Sequence, residues 1–266
     1  MRPPKVIAAD LDGTLLGPGQ ALTDRTRAAL DAARAVGIAV VAATARPPRV
    51  FTEWPDLAAR LDAAICANGA LVYDPGSRVV LGARALTAET AAVTAKTLRA
   101  ALPEARFAVE TGSALHAEPG YAKIDSVGDY RIFHESFEVV LEAADPIVKL
   151  LAHVPGATPD AVLAAGRTVD LPGVSVSHSG GAGLLEVSAA GVDKATALAA
   201  WCAERGVGAA EVVAFGDAPN DVPMLAWAGR SFAVANAHPE AAAAASDSCA
   251  SNADDGVAEA IEALLR

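Results

Sequence analysis

Residues 6–15 read VIAADLDGTL. This stretch is the starting point for predicting the fold, because an apolar run typical of a buried strand ends directly at a pair of acids. The four apolar residues at 6–9 are typical of a strand that is covered on both faces. Asp10 and Asp12 follow, and in an extended chain their carboxylates project to the same side. Gly13 then allows a sharp turn. The motif alone is equally compatible with an Asx turn whose second aspartate is solvated.

Strands and helices alternate after this stretch, which predicts an α/β fold. The predicted elements are a helix over residues 23–36, buried strands over residues 38–43 and 63–66, and a hairpin over residues 71–81. Thr23 is a suitable N-cap for the helix, and Gly37 lies directly after its end. Such an alternation implies βαβ crossovers and a parallel, Rossmann-like sheet.

The pattern changes after Gly82 to a mixture typical of an α+β domain. Its predicted elements are helices over residues 87–102 and 158–166 and strands over residues 106–110, 114–117, 147–153, 174–178 and 184–188. The α/β pattern then returns, with helices over residues 193–204, 219–228, 241–245 and 257–264 and strands over residues 212–215 and 232–235. We therefore expect a discontinuous α/β core, 1–82 and 188–266, interrupted by an α+β domain at 83–187.

Composition restricts the class of partner. The 266 residues carry a net charge of −11, so bulk electrostatics disfavour nucleic acid and anionic membranes as partners. The three cysteines are widely spaced, which argues against a disulfide framework or a zinc site. Neither a signal peptide nor an apolar run long enough to span a bilayer is predicted. We expect a cytoplasmic monomer or homodimer that acts on a small molecule.

A second acidic motif follows the predicted strand at 212–215. Residues 216–221 read GDAPND and supply Asp217, Asn220 and Asp221. Parallel strands present their carboxyl ends at the same edge of a sheet, so these side chains are expected near Asp10 and Asp12. Four neighbouring carboxylates repel one another unless a hard cation lies between them, and oxygen ligands favour Mg²⁺. The alternative is a helix N-terminus that is simply capped by aspartate.

Lys194 and Thr44 complete the set of candidate catalytic residues. Lys194 lies at the start of a predicted helix, where the helix dipole disfavours a cation, so it is either a solvated surface residue or a functional point charge. In the second case its ammonium would steady phosphoryl oxygens and a nucleophile. Thr44, at a strand end, is able to donate a hydrogen bond to the same oxygens, although an isolated threonine there is usually structural.

The ordered set DLDGT at 10–14, Thr44, Lys194 and GDAPND at 216–221 resembles the haloacid dehalogenase superfamily. The insertion before Lys194 is similar in size and pattern to the large α+β cap of its Cof-type phosphatases. Further segments that share the resemblance are ICANGA at 65–70, GVDK at 191–194, NAHPE at 236–240 and DGVAE at 255–259. The match covers nearly all of the predicted core.

This resemblance implies an Mg²⁺-dependent phosphatase. Asp10 would form an aspartyl-phosphate, and Asp12 would protonate the leaving oxygen and then activate water. The implied phosphate-binding residues are Gly13, Thr44, Ala45, Lys194 and Asn220, and the implied metal residues are Asp10, Asp12 through its backbone carbonyl, Asp217 and Asp221. Asp221 would lie beside the metal or orient Lys194.

The chain departs from the family pattern at three alanines. Ala45, Ala195 and Ala235 stand where the family usually has glycine. Glycine lets the backbone approach a ligand closely, so each added methyl group is expected to narrow the phosphate pocket slightly.

The substrate implied by the resemblance is a phosphorylated sugar or a similar small metabolite. Cap residues that are candidates for contact with it are His116, Glu118, Tyr121, His134 and His178. Two other functions use the same core: a sugar phosphomutase and a non-catalytic binding protein for phosphorylated ligands. A dinucleotide-binding oxidoreductase is disfavoured because the loop after the first strand lacks the G-x-G-x-x-G that binds pyrophosphate.

Overall fold

The computed structural model describes residues 3–122 and 130–266 and divides the chain into two compact units. The core unit comprises Met1–Arg46, Phe51–Gly82 and Asp193–Arg266, and the insert unit comprises Pro47–Val50 and Ala83–Val192. The chain re-enters the core unit at Asp193 rather than at the predicted residue 188. The reason is that strand Leu184–Ala189 pairs along its length with strands of the insert unit.

The elements are numbered in chain order over the described residues. The strands are β1 (Val6–Ala9), β2 (Ala39–Ala43), β3 (Ala63–Cys66), β4 (Leu71–Asp74), β5 (Val79–Ala83), β6 (Arg106–Glu110), β7 (Leu115–Ala117), β8 (Arg131–Phe133), β9 (Lys149–His153), β10 (Val174–Ser177), β11 (Leu184–Ala189), β12 (Val212–Gly216), β13 (Arg230–Val234) and β14 (Asp247–Cys249). The helices are α1 (Asp24–Ala35), α2 (Val50–Glu53), α3 (Pro55–Ala58), α4 (Ala88–Ala101), α5 (Phe137–Ala143), α6 (Pro159–Arg167), α7 (Lys194–Ala203), α8 (Val222–Trp227), α9 (Pro239–Ala244) and α10 (Gly256–Leu264).

The core unit is built on one sheet of eight strands among the residues that the structure describes. Its order is β14-β13-β12-β1-β2-β3-β4-β5, and the strands from β14 to β3 are parallel, whereas β4 runs antiparallel to β3. Strand β1 therefore lies between β2 and β12, with Ala9 opposite both Ala42 and Phe215. This order brings the loops after β1, β2 and β12 to one edge of the sheet, as expected for an α/β fold.

Apolar residues on β1 are buried on both faces of this sheet. Val6 and Ala8 pack in one cluster with Ala214, with Leu198 of α7 and with Met224 of α8. Helix α1 packs against β2 and α10. Alanine is frequent among the buried strand residues, and its small side chain lets the helices approach the sheet closely.

The insert unit contains a six-stranded sheet within the described residues, in the order β10-β11-β9-β6-β7-β8. All neighbours are antiparallel except β7 and β8. One face of the sheet is apolar and forms a core with α4, α5 and α6, with Phe107 and Leu150 among its fully buried side chains. This composition agrees with the α+β character expected for the inserted domain.

Most predicted elements are present, and the differences have local causes. The predicted helix over residues 219–228 is a 3-10 turn, Pro219–Asp221, followed by α8, which ends at Trp227. Strands β8 and β14 and helices α2, α3 and α5 were not predicted, because each is only three to seven residues long. No helix in the described part of the chain combines the length and apolar character needed to cross a bilayer.

Candidate active site

The loop after β1 places the carboxylate of Asp10 in a buried position. The backbone N–H of Asp10 donates to the carbonyl of Phe215 at 3.0 Å, and its carbonyl accepts from Leu15 N–H at 3.1 Å. Gly13 has φ +80°, and a Cβ there would lie 2.6 Å from Asp217 Oδ2, so the turn requires glycine. The side chain of Asn236 donates to the Gly13 carbonyl at 2.7 Å, which fixes the loop from β13.

Lys194 is completely buried and binds two carboxylates. Its Nζ donates to Asp10 Oδ1 and to Asp221 Oδ1, each at 2.6 Å. Burial opposes the ammonium charge, but the two carboxylates outweigh burial and raise the pKa of Lys194. Lys194 is therefore not a solvated surface residue, and its role as a functional point charge stays a prediction.

The start of α7 determines where Lys194 lies. Asp193 is the N-cap and forms a capping box with Thr196, whose N–H donates to Asp193 Oδ1 at 2.7 Å. Gly69 approaches this turn so closely that a Cβ on it would lie 2.1 Å from the Asp193 carbonyl oxygen. The Asn68-Gly69 segment and the cap of α7 therefore fix each other and set the position of the lysine.

The loop after β12 is organised by Asp221. Its Oδ2 accepts hydrogen bonds from the N–H groups of Asp217 and Ala218, both at 3.0 Å, while Oδ1 binds Lys194. Gly216 has no room for a side chain, because a Cβ there would lie 2.6 Å from the Asp221 Cβ. Thr14 donates to Asp217 Oδ1 at 2.7 Å, which ties this loop to the one after β1.

These contacts create a strongly acidic cluster. Oxygens of Asp10, Asp217 and Asp221 lie within 4.8 Å of one another. Burial, partly offset by Lys194 and reinforced by the neighbouring carboxylates, raises the pKa of Asp10 well above its usual range. Burial and the charge of Asp221 raise the pKa of Asp217 to about 6. A cluster with such raised pKa values is expected to gain stability from a bound cation.

The residues present fit a hard divalent cation. Lys194 and Arg46 are the cationic side chains that bond to these acids in the described part of the chain, so ionisation of all four carboxylates would leave an excess of two negative charges. Asn220 Oδ1 is buried without a hydrogen-bond partner among residues 3–122 and 130–266, while its Nδ2 donates to Asn68 Oδ1 at 3.0 Å. A buried carbonyl oxygen in this position is suited to a metal-bound water or to the metal itself.

The two predicted acids Asp12 and Asp221 differ from Asp10 and Asp217 in their surroundings. Both oxygens of Asp221 already accept hydrogen bonds, one from Lys194 and the other from two N–H groups of the loop. The carboxylate of Asp12 is not in the acidic cluster, because Arg46 holds it with two hydrogen bonds of 2.6 Å. Only its backbone carbonyl remains a candidate metal ligand, as the resemblance implied.

Thr44 is fully buried at the end of β2. Its Oγ1 accepts a hydrogen bond from the N–H of Arg46 at 3.1 Å, and its carbonyl accepts from the N–H of Asn68 at 3.0 Å. The Thr44 hydroxyl oxygen is therefore bonded to the turn that contains Ala45. Ala45 itself is half-buried, so its methyl group is accommodated at this turn.

Sequence reasoning missed Arg46, Asn68, Thr14 and Asn236 as residues that organise the site. Asn68 and Asn236 lie in segments that carried the family resemblance, and Thr14 lies in the first acidic motif, so a signal was present for these three. Arg46 had no signal beyond its position two residues after Thr44.

The predicted cap candidates have defined partners in the insert unit. His116 Nδ1 and His134 Nε2 are 2.9 Å apart, and burial together with His134 lowers the pKa of His116. Glu118 pairs with Arg99 and accepts a hydrogen bond from the N–H of Phe107.

The cap candidates Tyr121 and His178 are buried. Tyr121 lies in an apolar cluster, and His178 accepts a hydrogen bond from the N–H of Gly180. The contacts of Glu118, Tyr121 and His178 are those of structural residues.

Comparison with known proteins agrees with this architecture. The family model for haloacid dehalogenase-like hydrolases matches residues 7–261, so the chain belongs to that family and the resemblance drawn from its motifs is confirmed. The phosphoglycolate phosphatase of Natronomonas pharaonis is 30% identical over 261 residues, which are 96% of each chain. The 5-amino-6-(5-phospho-D-ribitylamino)uracil phosphatase YbjI of Escherichia coli is 27% identical over 98% of this chain and 96% of its own length.

A solved structure supports the same conclusion. A haloacid dehalogenase-like hydrolase from B. subtilis superposes with a TM-score of 0.83 at 25% identity, covering 97% of this chain and 99% of its own. The parallel α/β core with an inserted α+β domain is thus the fold of this family.

Proposed function

We propose that this protein is an Mg²⁺-dependent phosphatase that hydrolyses phosphate monoesters of small metabolites through an aspartyl-phosphate at Asp10. The observation that carries the proposal is the buried Asp10 carboxylate, bonded to Lys194 at 2.6 Å inside a cluster of acids. A buried carboxylate with a fixed ammonium beside it is a nucleophile held next to a group that stabilises phosphoryl charge.

Phosphoryl transfer to the enzyme is assigned to Asp10. Lys194 engages Oδ1, so the other oxygen attacks phosphorus while the ester P–O bond breaks. Lys194 and the Thr44 hydroxyl stabilise the phosphoryl oxygens, and the Asn220 amide, which Asn68 holds, is assigned to the same group. The residues Asp10, Asp217 and the carbonyl of Asp12 would hold Mg²⁺, which when bound neutralises phosphoryl charge and aligns the in-line transfer.

Proton transfer is assigned to Asp12. Its side chain is 34% exposed, compared with 7% for Asp10 and 0% for Asp221, and it lies outside the acidic cluster. Asp12 gives a proton to the leaving oxygen, and the resulting carboxylate then takes a proton from water. That water breaks the bond between phosphorus and Asp10 and releases inorganic phosphate.

The relatives support a small phosphorylated metabolite as the substrate. Their names specify phosphoglycolate and a phosphorylated ribityl compound, both of which are small phosphate monoesters. Sugar phosphates and sugar-alcohol phosphates belong to the same chemical class, and we propose them as the first substrates to test.

The test is phosphate release from a panel of phosphorylated metabolites, with Mg²⁺ and with a chelator, for the wild type and Asp10→Asn. We expect Mg²⁺-dependent release that falls by roughly 10³-fold or more in the variant, because an amide is a poor nucleophile of similar shape. Asn220→Ala serves as a control that alters the site without removing the nucleophile, and a partial loss is expected for it. Full activity in Asp10→Asn, or no release from any ester by folded wild type, would contradict the proposal.

A further inference from the structure

Arg46 pairs with Asp12, the acid of the site that lies outside the acidic cluster. Its Nε and one terminal nitrogen donate to the two oxygens of Asp12, both at 2.6 Å. The Arg46 side chain is 11% exposed, compared with 34% for the Asp12 side chain. Such a two-point pair fixes the plane of a carboxylate as well as its distance.

Arg46 is itself held on several sides. Its N–H donates to Thr44 Oγ1 at 3.1 Å, and its carbonyl accepts from the N–H of Ala67 at 2.9 Å. Its guanidinium lies 4.8 Å from the centre of the Trp54 ring, a cation–π contact. The backbone and the guanidinium of Arg46 are therefore both held by groups other than Asp12.

The pair separates Asp12 from the other acids of the site. Gly13 connects Asp12 to the part of the loop that contacts Asp217, and Lys194 already binds Asp10 and Asp221. We propose that Arg46 is a positioning residue, which holds Asp12 in the place and orientation required for proton transfer to and from the leaving oxygen.

This proposal rests on the proposed function and adds one residue to it. Each carboxylate oxygen has two lone pairs, and Arg46 uses one on each oxygen, so a second lone pair stays open for the transferred proton. When Asp12 gives its proton to the leaving oxygen, the carboxylate that remains is stabilised by the guanidinium. Arg46 does not contact the phosphoryl group in this scheme, so its effect depends on how much the leaving group needs a proton.

The experiment compares kcat/KM for an alkyl phosphate and for p-nitrophenyl phosphate, in the wild type and Arg46→Gln. kcat/KM reports phosphoryl transfer to Asp10, and nitrophenolate leaves without a proton donor, whereas an alkoxide needs one. General acid catalysis contributes about 10²- to 10⁴-fold. We expect the ratio of alkyl to aryl kcat/KM to fall by roughly 10- to 100-fold in Arg46→Gln. Equal losses for the two substrates would overturn the proposal.

Two further variants distinguish a loss of Asp12 positioning from a general loss of stability. Arg49→Gln is a matched control, because Arg49 has a side-chain exposure of 10% and pairs at two points with Glu110, at 2.6 and 2.8 Å. It should leave the alkyl-to-aryl ratio unchanged even if stability falls. Arg46→Lys keeps the charge but not the two-point geometry, so it should lower the ratio as Arg46→Gln does. If Arg46→Gln does not fold, Arg46→Lys decides the matter.

A double-mutant cycle with Asp12→Asn completes the test. If Arg46 acts through Asp12, the ratio in Asp12→Asn is already low and Arg46→Gln lowers it little further. Losses that multiply would show that Arg46 acts independently of Asp12, which overturns the proposal. A wild type that releases no phosphate, or an active Asp10→Asn, would instead refute the proposed function, so the two failures are distinguishable.

Discussion

Lys194 shows how the surroundings of one residue decide between two interpretations of the same sequence. The first position of a helix is unfavourable for a cation, and lysine is usually solvated. Here the ammonium is fully buried between Asp10 and Asp221, and the bonds to both are 2.6 Å. One ammonium lies between two carboxylates, so its removal leaves two buried carboxylates close together without the cation that binds both.

Substitution of Lys194 therefore tests the buried pair. Lys194→Met is expected to lower the free energy of unfolding by about 3–5 kcal/mol, the usual cost of removing one partner of a buried ion pair. The measurement is denaturant unfolding in a metal-free buffer. Lys96→Met, at an exposed position of α4, should change stability by less than about 0.5 kcal/mol.

A second substitution gives this prediction an internal control. Asp221→Asn in the Lys194→Met background removes one of the two unpaired carboxylates, so it should recover part of the lost stability. A stability loss below about 1 kcal/mol in Lys194→Met would show that the pair is solvated in solution.

At the scale of the elements, the turn after β3 sets the start of α7. Ala67, Asn68 and Gly69 have φ values of 49°, 58° and 100°, so three consecutive residues adopt left-handed conformations. Gly69 also lies so near the Asp193 carbonyl that there is no room for a Cβ on it. The position of Lys194 therefore depends on a turn that lies more than 120 residues away in the chain.

Gly69→Ala is expected to reduce stability and activity together. The new Cβ would overlap the Asp193 carbonyl, at 2.1 Å, and shift the first turn of α7 with Lys194. Overpacking costs about 1–3 kcal/mol and the left-handed conformation about 1–2 kcal/mol. We expect a loss of roughly 3 kcal/mol by denaturant unfolding and at least a tenfold fall in phosphate release.

Gly37→Ala provides the matched control for this change. Gly37 has φ +86°, but no atom lies within 4 Å of the position of a new Cβ. Only the backbone conformation is affected, so about 1–2 kcal/mol should be lost with activity retained. Equal effects of the two substitutions on phosphate release would show that the turn does not position Lys194.

At the scale of the whole molecule, the acidic cluster links metal binding to folding. The raised pKa of Asp217, about 6, means that the folded chain without metal disfavours its ionised form, because the group is buried near Asp221. A cation that binds the folded chain and not the unfolded chain raises stability by mass action.

Mg²⁺ should therefore raise the thermal midpoint of the wild type. At 100 times its dissociation constant the gain is about 2.7 kcal/mol, which corresponds to several degrees. Asp217→Asn should lose most of this gain, while its midpoint without metal should equal or exceed that of the wild type, because a buried like charge is removed. Thermal unfolding with and without Mg²⁺ measures both effects.

Asp247→Asn is the control, since Asp247 is exposed and pairs with Arg230 outside the cluster. It should keep the full response to Mg²⁺. If Mg²⁺ stabilises Asp217→Asn as much as the wild type, the cation binds elsewhere and the assignment of Asp217 is wrong.

Sequence alone determined the α/β core, the inserted domain and the principal acids of the site. Local patterns were sufficient for these features: an apolar run that ends in Asp10, a helix cap at Thr23, and acidic motifs at the ends of strands. The roles of Asp10, Asp12, Lys194 and Asp217 in catalysis and metal binding stay predictions. The return to the core was predicted at residue 188 and lies at Asp193, because the pairing of β11 with strands of the insert unit is a long-range property.

The pairing of the charged side chains in the site follows from the tertiary structure. The fold placed Lys194 between Asp10 and Asp221, and it paired Asp12 with Arg46. Asp10 and Lys194 are 184 residues apart in the chain, and their contact follows from the order of strands in the sheet and from the turn at Gly69. Local periodicity reports which residues are buried, whereas the partner of a buried charge depends on which elements become neighbours when the chain folds.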